Sequence, residues 1–398
     1  MSSHPRQTGD AMYPERLKFG AFLAPFHPLG EDPTLQFERD LEMIELFDRL
    51  NYDEFWIGEH HSLGWNSIGF PDLFVAAAAA RTRQIKLATG VMTLPYHHPF
   101  MVAGRALHLD HLTRGRFILG VGAGSSPVDA HMLGREWGEM RRMFSESLEA
   151  VVELLHGDQP VTRKTPWFTL QDAKLQLEPY RGGEVEIAAA SVASPHSVRL
   201  SGQLGISTVS FGVSRPGHRP PDMKTQWRYA EEAAAEHGKT VDRRNWRITL
   251  PIHVAETRAQ AIEDVRAGYQ RWAHEYWGDL RGLDVTIPGV DPGNAIEAAI
   301  EAGSAIVGSV EDCVAGIQRM QEETGGFGTL LVYLQDWAGP EQTKRSYDLL
   351  ARYVAPHFTG SARPLAESAR WYQENRDLFG GKLTLPDHGA RPRGADAG

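Results

Sequence analysis

Four short stretches of this chain set chemically able residues directly behind a run of apolar ones. The first is FWIGEHH (55–61), where Glu59, His60 and His61 follow Phe55–Gly58. A carboxylate beside two imidazoles can hold, give or take a proton near neutral pH. Charge at the end of a buried run is costly unless paired. The trio therefore either works on a ligand or caps a loop by bonding to itself. A zinc site is a weak reading, because adjacent residues on an extended chain point to opposite sides and no third ligand is marked out.

The second stretch is KLATGVMTLPYHHP (86–99). Gly90 sits where an apolar run meets its loop; glycine lets the backbone approach a flat group or take an unusual torsion, or simply forms a bulge. His97 and His98 follow a proline turn and read as exposed or packing residues. The third is GVGAGSS (120–126), where Ser125 stands in place of the last glycine of a dinucleotide fingerprint, so the motif is weak as such. Gly122 and Gly124 read as close backbone approach to a ligand. The fourth is AAASVASPHSVRL (188–200). Ser194 before Pro195 is a good helix cap, and free N–H groups at a helix start suit a phosphate, although an ordinary capped helix explains Ser191 and Ser194 as well. The chain has no Walker-type lysine loop, nucleophile elbow or HExxH pair.

What must position these residues is a repeated alternation. Strand-type runs fall at Leu17–Leu23, Phe55–Gly58, Ile85–Met92, Phe117–Val121, Val185–Ala190, Ile206–Phe211, Ile248–Val254 and Thr329–Leu334. They are rich in Val, Ile, Leu and Phe, as parallel strands buried on both faces are. Helical patterns lie between and after them at Thr34–Leu50, Pro71–Arg81, Phe100–Leu112, Trp137–Leu155, Pro195–Leu204, Lys224–His237, Arg258–Trp272, Val310–Glu323 and Gln342–Tyr353. This predicts an α/β fold, a (β/α)8 TIM barrel with insertions and a C-terminal extension; an open doubly wound sheet is the alternative. The apolar run FVAAAAA (74–80) reads as a buried helix. Residues 161–177 read as an extended excursion and 274–294 as a long irregular loop, hence a lid. The expected organisation is an N-terminal arm at 1–16, the barrel at 17–358 and an extension at 359–398, with a helix at Pro364–Leu378 and a disordered tail at 380–398.

Composition narrows the function classes. With 51 acidic against 41 basic residues the formal charge is −10, which disfavours nucleic acid as a partner. The single cysteine, Cys313, rules out an intrachain disulfide framework and fits a reducing, cytoplasmic location. No signal-type apolar segment opens the chain, and no window approaches the roughly 18 apolar residues of a membrane span.

Taken in order, the strand ends LKFGAFL, FWIGEHH, LATGVMTLPYHHP, LTRGRFILGVGAG and AAASVAS, with GSVEDCVAGIQ (308–318) and GFGTLLVYL, resemble the bacterial luciferase-like flavin monooxygenases across 17–358. Each motif alone is modest; together and in register they are specific. The resemblance implies a flavin across the barrel mouth, a non-proline cis peptide at Gly90–Val91 beneath its ring, phosphate contacts at Ser191 and Ser194, and His60, beside Glu59, as the histidine that handles a proton while a flavin peroxide forms or breaks down. It implies reduced FMN as a diffusible co-substrate from a separate NAD(P)H:flavin reductase, dioxygen, a small apolar organic substrate, and a homodimer packed through helices of the first half of the barrel. Phe22, Phe26, Trp56 and Trp65, under the 274–294 lid, are the candidate walls of a dry pocket. Luciferase has an arginine where this chain has Ala123, and an acidic residue where it has Ala190, so light emission is not implied. The extension SARWYQENRDLF (368–379) resembles the two-component branch typified by limonene monooxygenase. Other readings are a deazaflavin-dependent dehydrogenase or reductase on the same barrel, a non-catalytic flavin-binding protein and, more distantly, a metal-dependent barrel hydrolase.

Overall fold

A computed structural model describes residues 16–24, 26–192 and 194–379. The expected arm, Arg16 apart, and the expected tail at 380–398 lie outside the described residues. The chain divides into two compact units, 1–359 and 360–398.

The first unit is a closed barrel of eight parallel strands: β1 (Lys18–Leu23), β2 (Glu54–Ile57), β3 (Lys86–Thr89), β4 (Phe117–Gly122), β5 (Glu186–Ser191), β6 (Ser207–Phe211), β7 (Trp246–Leu250) and β8 (Thr329–Leu334). Neighbours in sequence are neighbours in space, and β1 pairs with β8 from Lys18↔Thr329 to Leu23↔Leu334, which closes the ring and excludes the open sheet. All eight expected strands are present. Proline at the first helical position starts the helices at Pro71–Arg81, Pro99–Thr113 and Pro195–Leu204, where its missing N–H costs nothing. Ser309 and Asp312 form a capping box on the helix Val310–Thr324.

Three expectations are corrected. Pro251 cannot donate to a ladder, so the seventh run breaks there; Ile252–Val254 leaves the barrel and pairs in parallel with Ile306–Gly308, a short strand with no clear sequence signal. The supposed loop 274–294 begins as helix: Trp272–Leu280 continues the helix Arg258–Arg271 with π-type hydrogen bonding, because neither proline nor glycine intervenes before Gly278. The FVAAAAA helix is buried on one face only, with Ala77 and Ala80 exposed, as befits the outer ring of a barrel. The 161–177 excursion is an antiparallel hairpin, Val161–Lys164 with Thr169–Ala173.

The barrel is a packed solid. Trp56, Ala88, Ile118, Ala188, Val209 and Leu331 are buried in one interior cluster with Phe22. Gly120 is obligatory, since a Cβ there would lie 1.9 Å from the Thr89 carbonyl oxygen and 2.5 Å from the Trp56 ring. At the N-terminal end of the strands Arg247, 2% exposed, donates to both carboxylate oxygens of Glu54 at 2.7 and 2.9 Å and to Glu186 at 2.7 Å. Trp56 Nε1 also donates to Glu54, at 2.9 Å. In the second unit, Arg363–Glu374 is helical, starting one residue before the expected helix Pro364–Leu378 and giving way to a 3-10 turn at Arg376–Phe379. No helix among the described residues is long and apolar enough to cross a membrane.

Candidate active site

The site is built at the C-terminal ends of the strands, where barrel loops bring together groups distant in sequence. The loop after β2 carries Glu59, whose side chain is fully buried. Its Oε1 accepts from His61 Nε2 at 2.9 Å and from His97 Nε2 at 3.0 Å, and its Oε2 from the Thr93 amide at 2.5 Å. Burial pushes Glu59 up, but these three donors together outweigh it and hold the carboxyl below its usual range. The bond from Glu59 raises the pKa of His61 in turn, against some desolvation.

His60 turns to a different carboxylate. Its Nδ1 lies 3.9 Å from Asp129 Oδ2, and its side chain is about one-fifth exposed. Asp129 also accepts from Ser62 Oγ and from the His61 amide (3.3 Å), and its own amide donates to Ser126 Oγ at 3.1 Å. Burial works against the charge of Asp129, yet His60, Ser62 and the His61 amide bring its pKa down to about 2. Of the trio Glu59, His60 and His61, therefore, only Glu59 and His61 bond to each other, because alternation along the extended loop points His60 away from Glu59. His97, read from sequence as a packing residue, belongs to the Glu59 cluster, and Asp129 was missed. Its signal was available in Ser126-Pro127, a cap for the helix Pro127–Met132 that brings Asp129 under the histidines.

The peptide Gly90–Val91 is cis, as expected. The glycines nearby serve the protein's own packing. A Cβ on Gly90 would meet Phe22 at 2.9 Å and Trp56 at 3.1 Å, one on Gly122 would meet Val91 at 2.6 Å, and one on Gly124 would meet Thr93 at 3.0 Å and the Tyr96 hydroxyl at 3.2 Å. Close approach by a ligand is therefore not needed to explain them. Tyr96 Oη is buried without a hydrogen-bond partner among the described residues, and its ring packs edge-on to His61. Ser194 caps the helix Pro195–Leu204 by accepting from His196 N, and Ser191 Oγ donates to the Ser194 carbonyl at 3.1 Å.

Of the expected pocket walls, Phe22, Phe26 and Trp65 converge. Phe22 packs against Phe211 (4.9 Å between ring centres) and Tyr333 (5.5 Å); Phe26 packs against Tyr276 (4.6 Å), which also meets Trp65 (5.8 Å). Trp56 is instead buried in the barrel interior against Gly90, Gly120 and Arg247 and tied down by its bond to Glu54. Tyr276, Phe211 and Tyr333 belong to the same buried aromatic cluster and were not anticipated.

The sequence of residues 17–326 matches the model of the family described as luciferase-like monooxygenase. The chain belongs to that family. This luciferase-like monooxygenase is 52% identical over 361 residues to 4-hydroxyprotoasukamycin monooxygenase of Streptomyces nodosus subsp. asukaensis, covering 90% of this chain and 97% of the relative. It is 43% identical over 349 residues to limonene 1,2-monooxygenase of Rhodococcus erythropolis, covering 88% of each. Its fold superposes on the oxygenating constituent of 3,6-diketocamphane monooxygenase of Pseudomonas putida, a type II Baeyer–Villiger monooxygenase solved with FMN, at a TM-score of 0.73 and 29% identity, over 86% of this chain and 98% of that one.

Beside the mouth, the loop after β1 of this luciferase-like monooxygenase holds an ion-pair cluster absent from the sequence reading. His27, 2% exposed, donates Nε2 to Asp40 (2.9 Å) and Nδ1 to Asp336 (3.1 Å), tying that loop to the one after β8. Arg39 Nη2, 2.8 Å from Nδ1 and itself paired with Glu31 and Asp336, opposes the charge. Burial alone lowers the His27 pKa, but its two carboxylates prevail and raise it to about 9. A folded pKa above the ordinary 6.5 means that the stabilisation is complete below pH 6.5 and is lost as the pH rises through about 9. The melting-temperature gap between wild type and His27→Gln should be widest at pH 6 and shrink toward pH 9.5. A gap constant over that range contradicts a charged His27.

Proposed function

We propose that this protein takes reduced FMN from a separate NAD(P)H:flavin reductase and, with dioxygen, oxygenates a small, largely apolar organic substrate. The observation that carries the reading is one juxtaposition: a buried aromatic cluster with Phe22, Phe26, Trp65, Phe211, Tyr276 and Tyr333 lies within electrostatic reach of Asp129, through Tyr276, and so beside two acid–base pairs, Glu59–His61 and Asp129–His60.

The residues present fit a flavin. Ser194 and the first-turn amides of the helix 195–204 would hold the phosphate, with Ser191 behind them. The Gly90–Val91 peptide would lie beneath the ring, and the partnerless Tyr96 hydroxyl would give it a hydrogen bond. Bound reduced flavin supplies the electrons that activate dioxygen. The aromatic cluster excludes water, Tyr276 on the 272–280 segment acts as the lid, and His60, oriented by Asp129, holds or moves the proton. Glu59 acts one step back, orienting His61 and His97. The single buried Cys313 suits a cytoplasmic setting. The relatives named for limonene and diketocamphane guide the assay. Protein, reductase, NADH and FMN under ¹⁸O₂ should place label into a product from a panel of terpenes and cyclic ketones; absence of any labelled product from the whole panel overturns the reading.

The homodimer is proposed on a surface next to this site. Leu35, Phe37, Phe70, Leu73 and Met101 are exposed on or beside the neighbouring helices Pro33–Arg49, Pro71–Arg81 and Pro99–Thr113. Phe37, Phe70 and Leu73 also line a cleft of about 620 Å³ with His60 and His61. An apolar face of this kind marks an interface, and a partner seated on it would close that cleft to water. Sedimentation should show a dimer for wild type and a monomer for Leu73→Glu; a monomeric wild type contradicts the proposal.

A further inference from the structure

The cleft of about 620 Å³ beside His60 and His61 is lined by no lysine, arginine or carboxylate among the described residues. Phe37, Phe70, Leu73 and Phe74 make one side apolar, and Asn66, Ser67 and Ile68 line another. The 66–68 stretch is a partition. Asn66 follows Trp65 of the buried aromatic cluster and forms an antiparallel bridge to Phe26 of the same cluster. His61 turns Nε2 to Glu59 and its other edge to Gly69, where a Cβ would stand 3.0 Å from Nδ1.

Two polar atoms of that partition are unmet. Asn66, 4% exposed, donates Nδ2 to the Ala24 carbonyl at 3.0 Å, which leaves Oδ1 as the free end of the amide. Oδ1 is buried and has no hydrogen-bond partner among the described residues, and the same holds for the Ser67 hydroxyl. An unmet group of this kind costs free energy until a partner reaches it. The partner that would satisfy both is narrowly defined. Asn66 Oδ1 can only accept, and a hydroxyl donates to it while accepting from Ser67. A carbonyl oxygen accepts from Ser67 and leaves Asn66 unmet. A hydrocarbon serves neither.

We propose that this cleft is a substrate subsite for neutral, apolar alcohols, with Asn66 and Ser67 as the residues that read the hydroxyl. The absence of charge in the lining selects a neutral ligand. Its apolar body lies on Phe37, Phe70 and Leu73, and its hydroxyl enters between Asn66 and Ser67, on the side of the cleft that adjoins the aromatic cluster. A site built to bond a hydroxyl rejects the analogue without one far more strongly than a site that reads shape alone. The same apolar side chains form the proposed dimer face, so a second copy seated there would hold the ligand in.

The role as a substrate subsite rests on the monooxygenase reading; the binding itself needs no flavin. Limonene, carvone and carveol share one skeleton and carry no oxygen, a ring carbonyl and a ring hydroxyl respectively. Binding of each to the full-length, flavin-free protein is followed by the change in tryptophan fluorescence, which Trp65, next to Asn66, reports. Wild type should prefer carveol to limonene by about tenfold, the effect of one to two net hydrogen bonds, with carvone between them. Ser67→Ala and Asn66→Leu should each cut that preference several-fold and leave limonene binding unchanged. Ser67→Ala removes a single oxygen, so it decides the matter if Asn66→Leu fails to fold. Carvone bound as tightly as carveol, equal affinity for all three, binding of none, or a preference that survives substitution overturns the proposal. Reduced FMN taken up without any alcohol preference overturns this inference alone; an alcohol preference without uptake of reduced FMN overturns the monooxygenase reading alone.

Discussion

Replacing His60 by alanine is expected to lower product formation by roughly two to four orders of magnitude, the usual span for a lost acid–base group. Reduced-FMN affinity should stay within a few-fold. His60 is the histidine of its loop whose ring faces Asp129, whereas the ring of His61, open to a similar degree, is committed to Glu59. The size of the effect follows from that division. Losing His60 removes the group that moves the proton; losing His61 frees the Glu59 carboxylate, which is still bonded to His97 and the Thr93 amide. Asp129→Asn should act through His60, shifting the pH profile of product formation while leaving flavin binding intact. Unchanged product yield in His60→Ala contradicts the role outright.

Arg247→Met is expected to be the most destabilising single change in the barrel, by about 3–5 kcal/mol, since one charge of a buried network is removed and the others are stranded. Glu54 is 1% exposed and Glu186 loses the partner that, against burial, brings its pKa down to about 2. The two carboxylates would then lose the guanidinium between them, with Lys86, 3.2 Å from Glu186 Oε2, left to pair with Glu186 alone, and Trp56 would lose the guanidinium stacked at 5.3 Å. The sign with pH is distinctive. In wild type the depressed Glu186 contributes stability above the ordinary carboxylate pKa and loses it as pH falls toward about 2. In Arg247→Met burial acts on Glu186 with only Lys86 to oppose it, so mild acid should narrow the stability gap. Adding Glu54→Gln and Glu186→Gln to Arg247→Met should recover much of the loss. Denaturant melts of the three proteins at pH 8 and pH 5 test this; a gap that widens in acid contradicts it.

The fold was legible because eight apolar runs alternate with well-punctuated helices, and proline marks several starts to the residue, as at Pro71 and Pro195. What escaped was local. Ile306–Gly308 is too short to carry a period, and Trp272–Leu280 looked irregular because tryptophan and tyrosine there belong to no single helical face. In the site, motif position placed Glu59, His60, Gly90 and Ser194 at the mouth. It could not place Asp129, Tyr276 or Tyr333, because those meet only through barrel closure, across 68 residues in the case of His61 and Asp129. Nor could it separate His60 from His61: which imidazole takes which carboxylate depends on the direction of each side chain. At the glycines the demand for close approach was legible, and protein atoms already account for it, since a Cβ on Gly90 would meet Phe22 and one on Gly122 would meet Val91.

The most direct test is an anaerobic titration of the full-length protein with reduced FMN, followed by a pulse of dioxygen with flavin reoxidation timed against free flavin. The account predicts saturable binding of reduced FMN and slower reoxidation of the bound flavin than of the free one. Failure to bind reduced FMN, with saturable binding of a deazaflavin coenzyme in the same assay, contradicts it.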